Sequence, residues 1–130
     1  MAKLKLSNEN PSEAQCKATL NSVADALYVI GGKWKLRIIV ALTDGNKRFN
    51  ELQRLVEGIS AKVLSTELKE LELTGFVNRN VFTGTPVLVE YELSQYAETL
   101  NGVLQSLSEW GAMHRETVKK SMRKKKPVIA

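Results

Sequence analysis

Apolar residues recur at helical spacing along the first half of the chain. Residues 20–30 carry apolar side chains three and four positions apart, and Gly31-Gly32 ends this stretch. Residues 33–42 predict a second helix in the same way. Asn50 is a good N-cap for a short third helix, which Gly58 closes. The pattern therefore predicts three helices before residue 60, and Asn10-Pro11-Ser12-Glu13 predicts a turn and a helix start ahead of them.

A fourth predicted helix has two clearly different faces. Ser60 can cap it, because its hydroxyl can accept a hydrogen bond from the first turn, and Gly75 ends it. One face carries the leucines Leu64, Leu68 and Leu71. The other face is small, polar and basic, and consists of Ala61, Lys62, Ser65, Thr66 and Lys69. Short hydroxyls between lysines suit a helix that lies in a DNA groove, while an ordinary solvated face is the alternative.

The fourth helix is followed at once by a predicted β-hairpin. Residues 76–82 and 87–93 read as two strands joined by a Gly- and Pro-containing turn at residues 83–86. In the second run Val89 and Tyr91 point one way and Glu90 and Glu92 the other, which is typical of a half-buried strand. The predicted fold class is mainly α with a small β-hairpin (α+β), in which a helix-turn-helix precedes a wing.

Both ends of the chain add an amphipathic helix to this unit. Ser94 can cap a long final helix whose apolar stripe runs about three turns. The stripe consists of Leu100, Val103, Leu104, Leu107 and Trp110. The first helix offers a similar set, Leu20, Val23 and Leu27. These stripes exceed what a compact winged helix needs, so we expect them to form a dimer interface; the alternative is that both helices fold onto their own domain.

The net positive charge of the chain comes mostly from its C-terminal segment, so by itself it is a weak argument for DNA binding. The net charge is +5, but six cations lie between Lys119 and Lys126, and removing those six leaves −1 for the remainder. A local excess of basic residues lies between Lys33 and Arg54, just before the predicted recognition helix. We expect an N-terminal arm at residues 1–17, a DNA-binding and dimerisation domain at residues 18–116, and a solvated, mobile basic tail at residues 117–130.

Enzymatic and membrane functions find no support in the composition. One cysteine excludes an internal disulfide and fits a reducing cytoplasm, and no apolar run is long enough to cross a membrane. The single histidine, His114, has no acidic or cysteine cluster at metal-ligand spacing around it. We therefore expect no catalysis, no metal and no cofactor.

Six segments in this order and spacing resemble the HxlR-type family of bacterial and archaeal winged-helix transcription factors. They are Gly31-Gly32-Lys33-Trp34, Arg48-Phe49-Asn50-Glu51-Leu52, Gly58-Ile59-Ser60-Ala61-Lys62-Val63-Leu64, Leu68-Lys69-Glu70-Leu71-Glu72, Val89-Glu90-Tyr91 and Trp110-Gly111. The resemblance covers residues 20–111. It implies a homodimer whose recognition helices enter successive major grooves of a palindromic operator, whose wings touch the flanking DNA, and whose terminal helices form the interface.

Carried onto this chain, the resemblance implies a set of DNA-binding residues. That set is Ser60, Ala61, Lys62, Ser65, Thr66 and Lys69 on the recognition helix, with Arg79 at the wing base and Lys33 and Arg48 as phosphate contacts. Trp34 and Phe49 are expected in the core. The wing tip holds no basic residue, so we expect it to add little affinity.

The chain departs from the family pattern at its cysteine. Family members often carry a cysteine close before the Gly-Gly-Lys-Trp segment, where this chain has Asn21-Ser22. The cysteine present, Cys16, lies earlier and precedes Lys17, which can favour the thiolate, so Cys16 is a candidate redox sensor. The sequence predicts a DNA-binding transcriptional regulator, responsive to oxidants or to an unidentified small-molecule effector; the alternative is a winged-helix adaptor that binds protein.

Overall fold

The computed structural model describes residues 12–125, and it confirms the predicted winged helix-turn-helix with a helix on either side. The elements in chain order are α1 (Glu13–Ile30), α2 (Lys35–Ala41), α3 (Phe49–Leu55), α4 (Ala61–Leu73), β1 (Val77–Phe82), β2 (Leu88–Leu93), a 3-10 helix (Gln95–Leu100) and α5 (Asn101–Lys125). Within this range no helix is both long and apolar enough to span a membrane.

The first helix begins earlier than its apolar spacing predicted. Ser12 is the N-cap of α1: its hydroxyl accepts a hydrogen bond from the Gln15 N–H (3.2 Å), and the Gln15 side chain accepts one from the Ser12 N–H (2.8 Å). This reciprocal cap fixes the start of the helix by hydrogen bonds, at a point where no apolar spacing predicted one. Residues 13–17, expected in the arm, are therefore helical, and residues 1–11 lie outside the described residues.

The last helix continues through part of the segment expected to be a mobile tail. Residues 117–125 belong to α5, while residues 126–130 lie outside the described residues. Lysine and arginine are good helix formers, and no glycine or proline interrupts the chain between Gly111 and Pro127. These nine positions are thus helical, and the division into arm, domain and mobile tail stays a prediction.

Two predicted helix starts also need correction. Arg48, rather than Asn50, is the N-cap of α3, and its backbone N–H donates to the Glu51 carboxylate at 2.9 Å. The Glu51 side chain thus satisfies an end that Asn50 was expected to cap. Ser94 is a cap as predicted, with its hydroxyl accepting from the Ala97 N–H at 3.3 Å, but the helix that it opens is the 3-10 helix.

The core lies between α2, α3, α4 and the base of the hairpin. Its fully buried side chains are Ile38, Ile39, Leu52, Leu64, Leu68, Leu71 and Val77. Trp34 and Phe49, expected in the core, are half-buried and pack against it. All three leucines of the predicted apolar face of α4 belong to this core, so the opposite face of that helix is turned outward.

The hairpin is tied to the helices by backbone hydrogen bonds. Strands β1 and β2 pair antiparallel, from Val77 opposite Leu93 to Phe82 opposite Leu88. In addition, the Lys47 N–H donates to the Tyr91 carbonyl (3.0 Å) and the Tyr91 N–H donates to the Lys47 carbonyl (2.7 Å). The loop between α2 and α3 thereby forms a single antiparallel bridge to β2, which fixes the base of the wing.

The terminal helices leave most of their apolar residues uncovered. In α1 only Ile30 is buried, whereas Leu20 and Leu27 are 68% and 61% exposed. In α5 the apolar side chains of Val103, Leu107 and Trp110 are exposed. The expectation that these two helices have surplus apolar surface is borne out within the single chain.

Leu100 and Leu104 differ from the rest of the predicted stripe. Leu100 is buried in the core of its own chain at the end of the 3-10 helix, and Leu104 is half-buried against that core. The tighter 3-10 turns place Leu100 inward, out of line with the exposed residues of α5. Leu100 was therefore wrongly expected on an open surface, since the fold of a single chain already covers it.

Candidate nucleic-acid interface

Both ends of α4 are fixed by local hydrogen bonds. The Ser60 hydroxyl accepts a hydrogen bond from the Val63 N–H at 3.1 Å, as the sequence predicted. At the other end the Gly75 N–H donates to the Glu72 carbonyl (3.2 Å) and the Phe76 N–H donates to the Leu71 carbonyl (2.9 Å). Gly75 has a φ of +88°, which a residue without Cβ adopts most easily. These two hydrogen bonds end α4 immediately before the first strand of the wing.

The predicted DNA-binding residues of this helix lie on one exposed face. We call this set the outer face of α4: Ser60, Ala61, Lys62, Ser65, Thr66 and Lys69. All six are exposed, while Leu64, Leu68 and Leu71 anchor the opposite side in the core. Lys62 and Lys69 are separated by about two helical turns, roughly 10 Å along the axis. The outer face thus presents two cations with small and hydroxyl side chains between them.

A lysine from α2 holds two of the acidic residues on α4. The Lys35 ammonium lies 2.6 Å from a carboxylate oxygen of Glu67 and 2.5 Å from one of Glu70. Burial lowers the pKa of Lys35, but its hydrogen bonds with both carboxylates outweigh burial, and the pKa is raised above its usual range. Lys35 is therefore charged throughout the physiological pH range. Glu67 and Glu70 follow Lys35 by 32 and 35 positions in the sequence. Local spacing patterns do not reach that far, so the sequence did not predict the contact of Lys35 with these two carboxylates.

Two cations flank the indole of Trp34. The Lys33 ammonium and the Arg37 guanidinium carbon each lie 4.8 Å from the centroid of a Trp34 ring. Arg37 also donates to the Glu57 carbonyl at 3.2 Å. Such cation–π contacts restrict long side chains at little cost. Lys33 is exposed as expected; Arg37 was not assigned to the site, although a basic residue three positions after a tryptophan is a usable signal in a helical segment.

The remaining predicted phosphate contacts come from other elements. Arg48 is exposed at the start of α3, and Arg79 is exposed in β1, directly opposite Tyr91. The alternate strand face carries Glu90 and Glu92. Hydrogen bonds from Asn80, Asn78 and Asn46 hold the pKa of the Glu92 carboxyl below its usual range. The wing is therefore no cationic surface, and its described tip at residues 83–87 adds no basic side chain.

An apolar groove of about 480 Å³ lies beside the exposed stripe of α5. Its aliphatic lining comes from α2, α3 and α5, and includes Leu36, Val40, Leu55, Leu104 and Leu107. The groove is thus continuous with part of the stripe that the sequence assigned to a dimer interface. Farther along α5, Trp110 stacks on His114 with ring centroids 4.8 Å apart.

The candidate redox sensor, Cys16, lies near the start of α1. Cys16 is exposed in the first turn of α1, next to exposed Lys17. Across residues 12–125 there is no group of three or more His, Cys, Asp or Glu side chains that could hold a metal ion.

Comparison with known proteins places this geometry in a family. The family model described as HxlR-like helix-turn-helix matches residues 29–119. The uncharacterized HTH-type transcriptional regulator YtcD of Bacillus subtilis (strain 168) is 50% identical over 93 residues, which cover 72% of this chain and 74% of YtcD. The crystal structure of ytcD superimposes with a TM-score of 0.70 at 49% identity, over 72% of this chain and 96% of that one.

A second similar structure is the redox regulator HypR in its reduced form. It has a TM-score of 0.71 at 38% identity, over 76% of this chain and 98% of HypR. The family-model match at residues 29–119 spans the helix-turn-helix, the wing and most of α5. The chain therefore belongs to the HxlR-like helix-turn-helix family of DNA-binding transcriptional regulators.

Proposed function

We propose that this regulator binds a palindromic DNA operator as a homodimer, with the outer face of α4 in the major groove. The observation that carries the proposal is the outer face itself: its six residues are all exposed, and they place the two cations Lys62 and Lys69 on one side of the helix with small and hydroxyl side chains between them. Serine and threonine hydroxyls can reach base edges or phosphates, and lysine neutralises phosphate. Lys33, Arg48 and Arg79 supply further contacts to the DNA backbone.

The exposed stripes of α1 and α5 support the homodimer. Six of the eight predicted interface residues are exposed in the single chain: Leu20, Val23, Leu27, Val103, Leu107 and Trp110. A monomer rarely leaves so many large apolar side chains on two helices in water. A two-fold dimer covers such stripes with copies of themselves and places two recognition helices for an inverted repeat.

Selection from a pool of random-sequence duplexes tests the proposal. The purified protein is expected to enrich duplexes that contain two inverted half-sites. A Lys62→Ala, Lys69→Ala double variant should lose specific binding to the enriched duplex, and its slope of log affinity against log salt should fall by about 3.6, since the dimer loses four phosphate contacts and each contributes about 0.9.

The matched control removes two exposed lysines of α5, through Lys119→Ala with Lys120→Ala, and should retain specific binding. Normal specific binding by a folded Lys62, Lys69 double variant would contradict the groove assignment. If the protein enriches no duplex at all, the alternative hypothesis of a winged-helix adaptor that binds protein through the same face is favoured over DNA binding.

An oxidant response at Cys16 is the second candidate. The observation in its favour is the exposure of Cys16 in a chain similar to the redox regulator HypR. Diamide treatment should then change the affinity for the enriched duplex in the wild type but leave Cys16→Ser unchanged. An equal change in both would place the effect elsewhere. An unidentified small-molecule effector is the alternative signal, and the groove beside α5 is large enough for one.

A further inference from the structure

The recognition helix by itself has the wrong charge for DNA. Residues 61–73 contain two lysines, Lys62 and Lys69, against three glutamates, Glu67, Glu70 and Glu72, so the net charge of the helix is −1. Glu67 directly follows the outer-face residue Thr66, and Glu70 directly follows Lys69. Carboxylates beside a phosphate backbone are repelled by it, so something must offset them if this helix is to enter a groove.

Lys35 supplies that offset from a neighbouring helix. Its ammonium is in contact with both carboxylates at once, at 2.6 Å from Glu67 and 2.5 Å from Glu70. The Lys35 side chain is 13% exposed and that of Glu67 is 19% exposed, so water screens this part of the cluster only weakly. The contact draws both carboxylates towards Lys35 on α2, with the Glu70 side chain still 50% exposed.

We propose that Lys35 is a positioning residue for DNA binding: it holds Glu67 and Glu70 away from the phosphates and so leaves the outer face of α4 attractive to DNA. This inference rests on the proposed function, because it concerns the same helix and the same ligand. Lys35 touches no DNA in this proposal; it acts through the two glutamates.

A purely structural role for Lys35 makes a different prediction. Lys35 also links α2 to α4, and loss of such a link could tilt the recognition helix. In that case neutralising the glutamates would not help, since the link would still be missing. In our proposal, neutralising them removes the repulsion and restores binding even without Lys35.

The experiment compares two variants with the wild type on the duplex that the wild type enriches. At about 0.1 M salt, Lys35→Met should bind about tenfold more weakly, because two carboxylates are released near the phosphates. Addition of Glu67→Gln and Glu70→Gln to Lys35→Met should bring the affinity back to within about threefold of the wild type. Because salt screens the repulsion, the deficit of Lys35→Met should shrink at about 0.3 M salt.

Controls separate charge loss from unfolding. Lys119→Met removes a lysine that is also ion-paired, to Glu116 on α5, and should leave the affinity within about twofold of the wild type. Circular dichroism melting confirms that each variant is folded. If Lys35→Met does not fold, Lys35→Gln replaces it in both comparisons, since glutamine is uncharged but can still hydrogen-bond to the carboxylates.

Two results would overturn the inference while leaving the proposed function intact. In one, the triple variant binds as weakly as Lys35→Met, which would make Lys35 a structural link or a direct contact. In the other, Lys35→Met binds as the wild type does, which would mean that the glutamates do not matter. Failure of the wild type to enrich any duplex would overturn the proposed function and this inference together.

Discussion

Ser60 links the stability of the recognition helix to its function at the scale of one residue. Its hydroxyl accepts the Val63 N–H, while its exposed position is at the first turn of the outer face. The N-terminal N–H groups of a helix have no partner within the helix, so a capping oxygen is worth more there than elsewhere. Ser60 should therefore contribute to the stability of the protein even in the absence of DNA.

Ser60→Ala should lower the free energy of unfolding by about 1 kcal/mol, because the Val63 N–H loses its acceptor. Denaturant unfolding without DNA measures this change. Ser60→Asp is the control, since its carboxylate can cap the same N–H and should keep most of the stability. An unchanged unfolding midpoint for Ser60→Ala would mean that the cap contributes nothing in solution.

Glu92 on the wing gives a prediction about pH. Hydrogen bonds from Asn80 and Asn78 hold the pKa of this carboxyl below its ordinary value of 4.5. Its contribution to stability is fully present above that ordinary value and is lost as the pH falls through the lowered folded value. The difference in unfolding free energy between the wild type and Glu92→Gln should therefore shrink as the pH falls below the ordinary value of 4.5.

Carboxyl NMR titration checks the pKa itself. In the double variant Asn78→Ala, Asn80→Ala the pKa of Glu92 should rise towards 4.5, because its two largest hydrogen-bond donors are gone. A Glu92 pKa that does not move would assign the shift to another cause.

At the scale of elements, α5 serves two different surfaces. Leu104 is half-buried against the core of its own chain, whereas Leu107, one turn later, is exposed and lines the apolar groove. The helix thus anchors itself through one residue and offers others outward. Structure-guided substitutions can separate these two roles, which the apolar stripe in the sequence presents as one.

Leu107→Asp should give folded monomers, because a charge in the proposed interface blocks burial against a second copy without entering the core. Leu104→Asp should in addition lower the free energy of unfolding by about 3 kcal/mol, since it buries a carboxylate against the core. Analytical ultracentrifugation and denaturant unfolding measure the two effects.

Gln105→Asp is the matched control on the same helix: it adds the same charge at an exposed position outside the stripe and should remain dimeric. A dimer that survives Leu107→Asp would locate the subunit contact on another surface.

For the whole molecule, the distance between two recognition helices decides which DNA can be bound. A two-fold dimer that reads successive major grooves places them about 34 Å apart, one turn of duplex. Insertion of about 5 base pairs between the half-sites moves the second half-site to the opposite face of the DNA, and the affinity should fall to that of a single half-site.

Replacement of the central base pairs at constant spacing is the control and should preserve most of the affinity. Gel-shift titration of the three duplexes measures the differences. If the affinity were independent of spacing, the subunits would not be reading the operator as one rigid unit.

The sequence by itself determined the elements whose cause is local. The two faces of α4, its Ser60 cap, its Gly75 stop and the hairpin all follow from periods of 3.6 and 2 and from the needs of helix ends. The exposure of all nine predicted DNA-binding residues was foreseen for the same reason, while their contact with DNA remains a prediction.

Only the tertiary structure decided the features that depend on distant partners. Leu100 lies in the core rather than in the open stripe, because the 3-10 helix before α5 turns it inward. Lys35 meets Glu67 and Glu70 because the packing of α2 on α4 brings together residues more than thirty positions apart. Periodicity records which way a side chain points along its own element, but only packing determines what it then meets.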